Sequence, residues 1–221
     1  MGLYGKKYIN AKMFKEVASK QCSLAGGTLN LIYLIYFIIV IGFITITSQQ
    51  IPIKTIETPY GDLQFTINLY PILSLFIFGH FTYSFVFISN KICSSINLKI
   101  VDLFEGFKKY WKVFLLHFVT QLYINLWSLL FIIPGMVKSY SYSMAMYIYN
   151  DNPELTYKQC IERSICMMYG HKWDLFCLHL SYFGWLILCG LTGGILLIWV
   201  MPKIQQANYL FYLQVKENAI I

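Results

Sequence analysis

The sequence has few charged residues, and acidic residues are especially scarce. Charged residues make up 12% of its 221 positions, whereas 57% are hydrophobic. A soluble domain typically has about 25% charged residues, so the composition argues against that class and indicates a protein of the lipid bilayer. The ten acidic residues lie almost entirely between the apolar runs. No apolar segment therefore has a pair of carboxylates that could act as general acid and base.

Sequence motifs for catalysis and for metal binding are also missing. The chain has no G-x-S-x-G motif, no glycine-rich phosphate loop and no C-x-x-C pair among its six cysteines. These absences favour a non-enzymatic protein without a cofactor, and they predict free thiols. The net charge of the chain is +7, but its basic residues form no patch with interleaved aromatic residues for base stacking. We therefore predict no nucleic-acid partner.

The apolar runs predict an all-α fold: a polytopic membrane helix bundle in a single membrane domain over residues 1–221. In lipid, a lone strand leaves its backbone polar groups unpaired, so even the alternating segment after Lys138 is predicted as a helix. The six predicted transmembrane helices cover residues 29–47, 63–89, 113–133, 136–149, 173–190 and 195–214. Amphipathic helices in the membrane interface are predicted over residues 6–20, 99–112 and 153–169.

The distribution of basic residues predicts the orientation of these six spans. Of the 17 lysines and arginines, all but Lys54, Lys138 and Lys203 fall in segments that the six-span path places on one side. Because basic residues concentrate on the cytoplasmic side, both termini are predicted to be cytoplasmic.

The stretch from Leu126 to Leu155 contains most of the local stop and start signals. Pro134-Gly135 predicts a tight turn between two helices, and Asn152-Pro153-Glu154 predicts a helix start, with a stop at Gly170. Between them, the pairs Ser139/Ser143 and Ser141/Ala145 fit close helix packing in a bundle. The alternative is that these serines bond to the preceding turn of their own helix.

Polar residues inside predicted spans are the candidate ligand-binding groups. Lys203 would lie near the middle of the bilayer, where an unpaired lysine costs a few kcal/mol. It is either a cavity-lining cation or a snorkelling side chain beside a break at Pro202. The predicted ligand-binding set, which also contains polar residues of the third span, is Lys203, Gln205, Asn208, Gln121 and Asn125. Gln121 and Asn125 also fit simple hydrogen bonding between helices.

Three histidines, His80, His117 and His179, fall in three different predicted spans. Together they are weak candidates for a transition-metal site, since the sequence has no i, i+4 histidine pair and no H-E-x-x-H. The alternative is that each histidine forms its own hydrogen bond to another helix.

Several long motifs in the second half resemble one family. They are DLFEGFKKYWK from Asp102, LWSLLFIIPGMVKSYSYSM from Leu126, DNPEL from Asp151, MMYGHKWDLF from Met167, LSYFGW from Leu180, LTGGILLIW from Leu191 and ANYLFY from Ala207. On these motifs the chain resembles the uncharacterised integral-membrane proteins of Gram-positive bacteria known as domain of unknown function 975. The resemblance implies a multi-pass helical bundle in the cell membrane and implies no activity.

Three functions are compatible with these observations. The first is a non-enzymatic membrane protein that binds or moves a lipid or small amphiphile through a cavity containing Lys203. The second is an immunity or stress protein whose partner is a membrane-active peptide or toxin. The third is an enzyme that uses a histidine-bound metal.

Overall fold

The computed structural model describes residues 11–47, 51–58, 61–67 and 70–219. Nine α-helices, one 3-10 helix and one β-hairpin are formed by these residues. The elements in the first half are α1 (Ala11–Thr47), β1 (Ile51–Thr58), β2 (Gly61–Ile67), α2 (Tyr70–Cys93), a 3-10 helix (Ile100–Phe104), α3 (Glu105–Lys108) and α4 (Tyr110–Leu130). The second half contains α5 (Ile132–Tyr142), α6 (Ala145–Asp151), α7 (Tyr157–Met167), α8 (Lys172–Leu191) and α9 (Leu197–Ala219).

Helices α2 and α9 lie in the interior of the bundle. Tyr83 and Val86 of α2 and Phe211 of α9 are each at most 2% exposed, and they belong to one core together with Phe14 of α1 and Leu178 of α8. A second core joins the middle of α1 to α2 through Leu29, Ile32 and Phe81, among others. Because other helices surround them, α2 and α9 can contain polar residues that a lipid-facing helix could not.

Three helices in the described residues are long and apolar enough to cross a membrane: α1, α4 and α8. The prediction of six transmembrane helices is therefore confirmed only in part. The predicted span 136–149 is divided, because α5 ends at Tyr142 and α6 begins at Ala145. Eleven residues of α5 extend only about 16 Å, about half the hydrocarbon thickness. The predicted span 195–214 corresponds to α9, where Pro202, Lys203 and neighbouring polar residues lower the hydropathy.

Residues 51–58 and 61–67 pair as an antiparallel hairpin between α1 and α2, where we predicted a gap between two spans and the start of the second span. Ile51 pairs with Ile67 and Thr58 pairs with Gly61, with an irregularity between Pro52 and Lys54. The predicted span 63–89 is thus wrong at its start, because its first residues belong to β2 and the helix begins at Tyr70. Outside this hairpin, the described elements are helical, as predicted.

The basic interfacial helix predicted over residues 6–20 is not a separate helix, and its residues 6–10 are outside the described residues. From Ala11 it continues into the first predicted span as α1, with a kink at Gly26, whose φ of 68° favours glycine. Phe14 and Ala18 are one turn apart and are buried at 1% and 0% exposure. This apolar stripe packs the first part of α1 against α9, with the Phe14 and Phe211 ring centroids 6.1 Å apart.

The amphipathic helix predicted over residues 99–112 is also divided. The 3-10 helix and α3 occupy its first two thirds, and α4 begins at Tyr110 after a non-helical Lys109 (φ −110°, ψ 39°). Asp102 fixes the start of this segment, because its carboxylate accepts a 2.8 Å bond from Lys91 Nζ and another from the Lys99 amide. These bonds hold the segment against the end of α2.

The break between α4 and α5 lies at Phe131 rather than at the predicted Pro134-Gly135 turn. Phe131 has extended backbone angles (φ −156°, ψ 144°), and Pro134 lies in the first turn of α5. A proline is tolerated there because first-turn amides have no acceptor within the helix. Gly135 serves close packing: a Cβ at this position would lie 2.1 Å from Ser128 Oγ of α4.

The serines of α5 form local bonds, which confirms the second of the two readings. Ser139, Ser141 and Ser143 donate to carbonyl oxygens three or four residues earlier. The break after α5 is stabilised from another helix. The Ser164 hydroxyl of α7 donates to the Ser141 carbonyl at 2.8 Å and accepts from the Met144 amide at 3.2 Å.

Helix α7 begins later than the predicted start at Pro153. The Leu155 amide donates to the Asn152 carbonyl, so Asn152–Leu155 is a turn with proline at its second position. Thr156 caps the helix, and Gln159 accepts from the Thr156 amide in return. The helix ends at Met167, and Gly170 (φ 84°) lies in the turn before α8.

Candidate functional site

A cavity of about 430 Å³ opens between α1, α8 and α9. Three lysines and one glutamate contribute to its lining, together with two tryptophans. The lining residues are Lys12, Lys15, Glu16 and Ser19 of α1, Ser181, Tyr182 and Trp185 of α8, and Leu196, Trp199, Val200 and Lys203 of the α9 side. The volume falls within the range of roughly 300–1,000 Å³ that is typical of ligand pockets.

Lys15 is held in place by α8. Its Nζ donates to the main-chain carbonyl of Ser181 at 2.8 Å and lies 4.9 Å from the centroid of the Tyr182 ring. Ser181 is nine residues from the start of α8, which corresponds to about 14 Å along a helix of about 30 Å. The charged end of Lys15 is therefore fixed halfway along an apolar helix that is long enough to span the membrane.

Lys203 enters the same cavity from α9. Pro202 is buried inside the helix without ending it, and Lys203 is half-buried against the cavity. The Tyr182 hydroxyl forms a long, 3.5 Å hydrogen bond to the Lys203 carbonyl, which places both residues at the same height in the bundle. Lys203 therefore lines a cavity, and the choice between the two readings of its role stays a prediction.

The electrostatics of the cavity favour an anion. Three lysines oppose one glutamate, so two positive charges are in excess. Trp185 and Trp199 are 48% and 47% exposed and provide an apolar wall beside these charges. A lysine inside the membrane is costly unless an anion or water accompanies it, and an anionic group bound here would reduce that cost.

The other predicted ligand-binding residues do not line this cavity. Gln205 and Asn208 follow Lys203 on α9, but Asn208 faces His179 of α8, whose Nε2 lies 2.9 Å from Asn208 Oδ1. Gln121 is half-buried and Asn125 is exposed on α4, a helix that contributes no residue to the cavity. The structure thus brings Lys203 together with residues of α1 and α8 rather than with the polar residues of α4.

The polar patch of α9 also contains a buried glutamine. Gln206 is 0% exposed, and its Nε2 donates to Gln21 Oε1 at 2.8 Å and approaches Cys93 Sγ at 3.1 Å. These contacts join α9 to α1 and α2. The Gln206 Oε1 atom has no hydrogen-bond partner among the described residues.

The three histidines form separate contacts and do not converge. The ring nitrogens of His80 lie 2.8 Å from the Phe76 carbonyl and 3.1 Å from the Tyr110 carbonyl, while His179 bonds to Asn208. His117 packs against Gly79. Within the described ranges, no three histidine, cysteine or acidic side chains are grouped to hold a metal ion. The geometry therefore matches the reading of individual hydrogen bonds or packing contacts.

The second half of the chain matches a known protein family. Residues 129–219 match the family described as protein of unknown function (DUF975). This confirms the resemblance inferred from the sequence motifs. The DUF975 segment runs from the end of α4 to the end of α9, so it supplies the α8 and α9 walls of the cavity, while α1 lies outside it. No curated protein and no solved structure matches the chain.

Several cavity residues were missed in the sequence analysis. Lys12, Lys15, Glu16 and Ser19 recur at helical spacing, but we assigned this face to the membrane surface. The signal that could have corrected this is the buried stripe of Phe14, Ala18 and Cys22 on the same helix, which has the four-residue spacing of a packed face. Trp185 and Trp199 lie on opposite sides of the connection between α8 and α9. The sequence alone does not predict that both line one cavity.

Proposed function

We propose that the protein is a membrane component that binds an anionic amphiphile, such as an acidic lipid, in the cavity between α1, α8 and α9. The observation that supports this most directly is the position of Lys15 and Lys203. Both ammonium-bearing side chains line one cavity halfway along α8, beside two half-exposed tryptophans. An amphiphile combines the negative group and the apolar body that such a cavity can accommodate.

The proposed ligand is oriented by the chemistry of the walls. The acidic headgroup lies against Lys15 and Lys203, and the apolar chain passes between Trp185 and Trp199 toward the surrounding lipid. Each lysine–headgroup contact near a membrane contributes about 1 kcal/mol. Contacts in a cavity shielded from water are stronger, because the local dielectric constant is lower.

The proposal includes a bundle with six crossings and both termini in the cytoplasm of a bacterial cell. Helices α1, α4 and α8 provide the lipid-facing crossings, while α2 and α9 cross inside the bundle. The α5–α6 pair returns beside α4, where Gly135 packs against Ser128. The concentration of basic residues in the segments assigned to one side supports this orientation.

We propose a binding or transport role rather than catalysis, as the absence of catalytic sequence motifs predicts. Protection against a membrane-active peptide or toxin stays the alternative prediction from the sequence.

A brominated acidic lipid tests the proposed cavity. Bromine on an acyl chain quenches tryptophan fluorescence by contact, so dibrominated phosphatidylglycerol should quench Trp185 and Trp199 of the purified protein in a neutral detergent. Lys203→Gln is expected to weaken binding about tenfold, equivalent to about 1.4 kcal/mol. Trp185→Phe combined with Trp199→Phe should remove most of the saturable quenching.

Lys138→Gln is the matched control. Lys138 is half-buried on α5, lies 4.8 Å from the Trp127 ring centroid and is outside the cavity. The substitution removes the same charge, so it should leave the affinity within about twofold of the unmodified protein. Equal weakening by Lys138→Gln and Lys203→Gln, or no effect of Lys203→Gln, would rule out this cavity as the site.

A further inference from the structure

A second cationic cavity lies at the start of α4, away from the α1–α8–α9 cavity. Its volume is about 370 Å³, and it is formed by the end of α3, the first turn of α4, α6 and the α6–α7 connection. Its lining residues are Lys108, Lys109, Tyr110, Trp111, Lys112, Tyr149 and Pro153. No residue is shared with the first cavity, so the two can be tested separately.

Two of its three lysines have no carboxylate partner among the residues that the structure describes. Lys108 forms a 2.6 Å salt bridge with Glu105, whereas no salt bridge of Lys109 or Lys112 occurs among the residues that the structure describes. Lys112 Nζ contacts the Pro153 carbonyl at 3.3 Å, and Lys109 Nζ lies 6.0 Å from the Tyr149 ring centroid. Both positive charges therefore face the same space around Tyr149.

Tyr149 adds a polar group that has no partner. It is 2% exposed, and its hydroxyl has no hydrogen-bond partner within the described part of the chain. Because Tyr149 lines the cavity, an anion bound there would lie near the ammonium groups of Lys109 and Lys112, with the Tyr149 ring as part of the wall.

The cavity also lies where the membrane surface is expected. Tyr110 and Trp111 are 38% and 66% exposed at the start of α4, one of the three helices long enough to span. Aromatic residues of this kind concentrate at the headgroup level. An adjoining, more apolar cavity of about 190 Å³ shares Lys112 and Tyr149 and includes Leu115, Leu116, Leu155 and the carboxylate of Glu154.

We infer that the cavity around Lys109, Lys112 and Tyr149 binds the phosphate group of an anionic ligand. The headgroup of an acidic phospholipid and a free phosphate in solution present the same chemistry here. The position of Tyr110 and Trp111 favours the lipid as the source. This site is distinct from the proposed amphiphile cavity and does not depend on it.

Binding of three probes tests the inference in the full-length protein carrying Lys203→Gln, which weakens any binding in the first cavity. The probes are dihexanoyl phosphatidylglycerol, glycerol 3-phosphate and inorganic phosphate, each titrated by calorimetry in neutral detergent. The Lys109→Gln/Lys112→Gln pair should lower the affinity for phosphatidylglycerol at least tenfold. Lys109→Arg/Lys112→Arg keeps both charges and should stay within about threefold.

A control double substitution distinguishes binding at a specific site from non-specific attraction to the positive charge of the protein. Lys20 and Lys158 are exposed and line neither cavity, so Lys20→Gln/Lys158→Gln should change the affinity by less than about threefold. Thermal melting of each variant checks that the fold is retained.

The outcomes distinguish the sources and can refute the site. Tighter binding of phosphatidylglycerol than of the two soluble phosphates assigns the site to a lipid headgroup. Equal affinity for inorganic phosphate supports the phosphate site and assigns it to a soluble ligand. If none of the probes binds, or if the control pair loses as much affinity as the Lys109/Lys112 pair, the inference is overturned. Neither result bears on the first cavity.

Discussion

The contact between Gly106 of α3 and the backbone of α2 gives a sharp test of the bundle. A Cβ on Gly106 would lie 2.2 Å from the His80 carbonyl oxygen and 2.8 Å from its carbon. These are main-chain atoms, so no side-chain rotation can relieve the overlap, and α3 must move by about 1 Å. The Gly106 amide also donates to Ser84 Oγ at 2.9 Å, a bond that such a movement disturbs.

We expect Gly106→Ala to lower the free energy of unfolding by about 2 kcal/mol. Overpacking a well-filled site costs about 1–3 kcal/mol, and a disturbed buried hydrogen bond adds about 1 kcal/mol. The gain from replacing a helical glycine, about 0.5–1 kcal/mol, offsets part of this cost. For a chain of about 150–250 residues, each kcal/mol shifts the melting temperature by roughly 2–4 °C.

The melting temperature of the detergent-purified variant is the measurement, with a predicted fall of about 4–8 °C. Gly184→Ala is the matched control, because Gly184 is exposed on α8 and a Cβ there would meet no atom within 4 Å. That variant should melt within about 2 °C of the unmodified protein. A Gly106→Ala variant that melts as the control does would refute the close packing of α3 on α2.

Two further predictions concern α7. Ser164→Ala leaves the Met144 amide without its acceptor and should lower the free energy of unfolding by about 1–3 kcal/mol in a denaturation assay, whereas Ser139→Ala, which loses only a local bond, should be nearly neutral. Burial raises the pKa of Cys160 to about 11, with Arg163 opposing the shift, so the reactive thiolate is about one part in a thousand at pH 8. Cys166, which is exposed, should react with a maleimide reagent well before Cys160; faster modification of Cys160, mapped by peptide mass spectrometry, would contradict the burial.

The parts of the fold that are visible in the sequence are those governed by long-range hydropathy. Predicted span 173–190 corresponds closely to α8, and predicted span 113–133 corresponds to α4 with an earlier start and end. A continuous apolar run determines such helices almost alone. Local sequence signals for helix starts were less reliable where two possible starts lay close together. Thr156 with Gln159 forms a capping box, although the preceding Asn152-Pro153-Glu154 has the same preferences for a helix start.

The candidate site was only partly predictable, because it depends on which helices become neighbours. Lys203 could be identified from the sequence because a lysine inside an apolar helix carries a free-energy cost in the bilayer. That property depends on one segment only. Lys15 was assigned to the membrane surface because the local sequence shows only a basic amphipathic helix. Its hydrogen bond to the Ser181 carbonyl joins positions 166 residues apart, so local patterns cannot predict it. The second cavity likewise joins the start of α4 to Tyr149, and only the fold brings these residues together.

A structure determined in nanodiscs containing phosphatidylglycerol tests the central claim most directly. We predict headgroup density within hydrogen-bonding distance of Lys15 and Lys203, with an acyl chain continuing between Trp185 and Trp199. An ordered bundle whose α1–α8–α9 cavity is closed, or contains water alone while lipid is resolved elsewhere, would contradict the proposal.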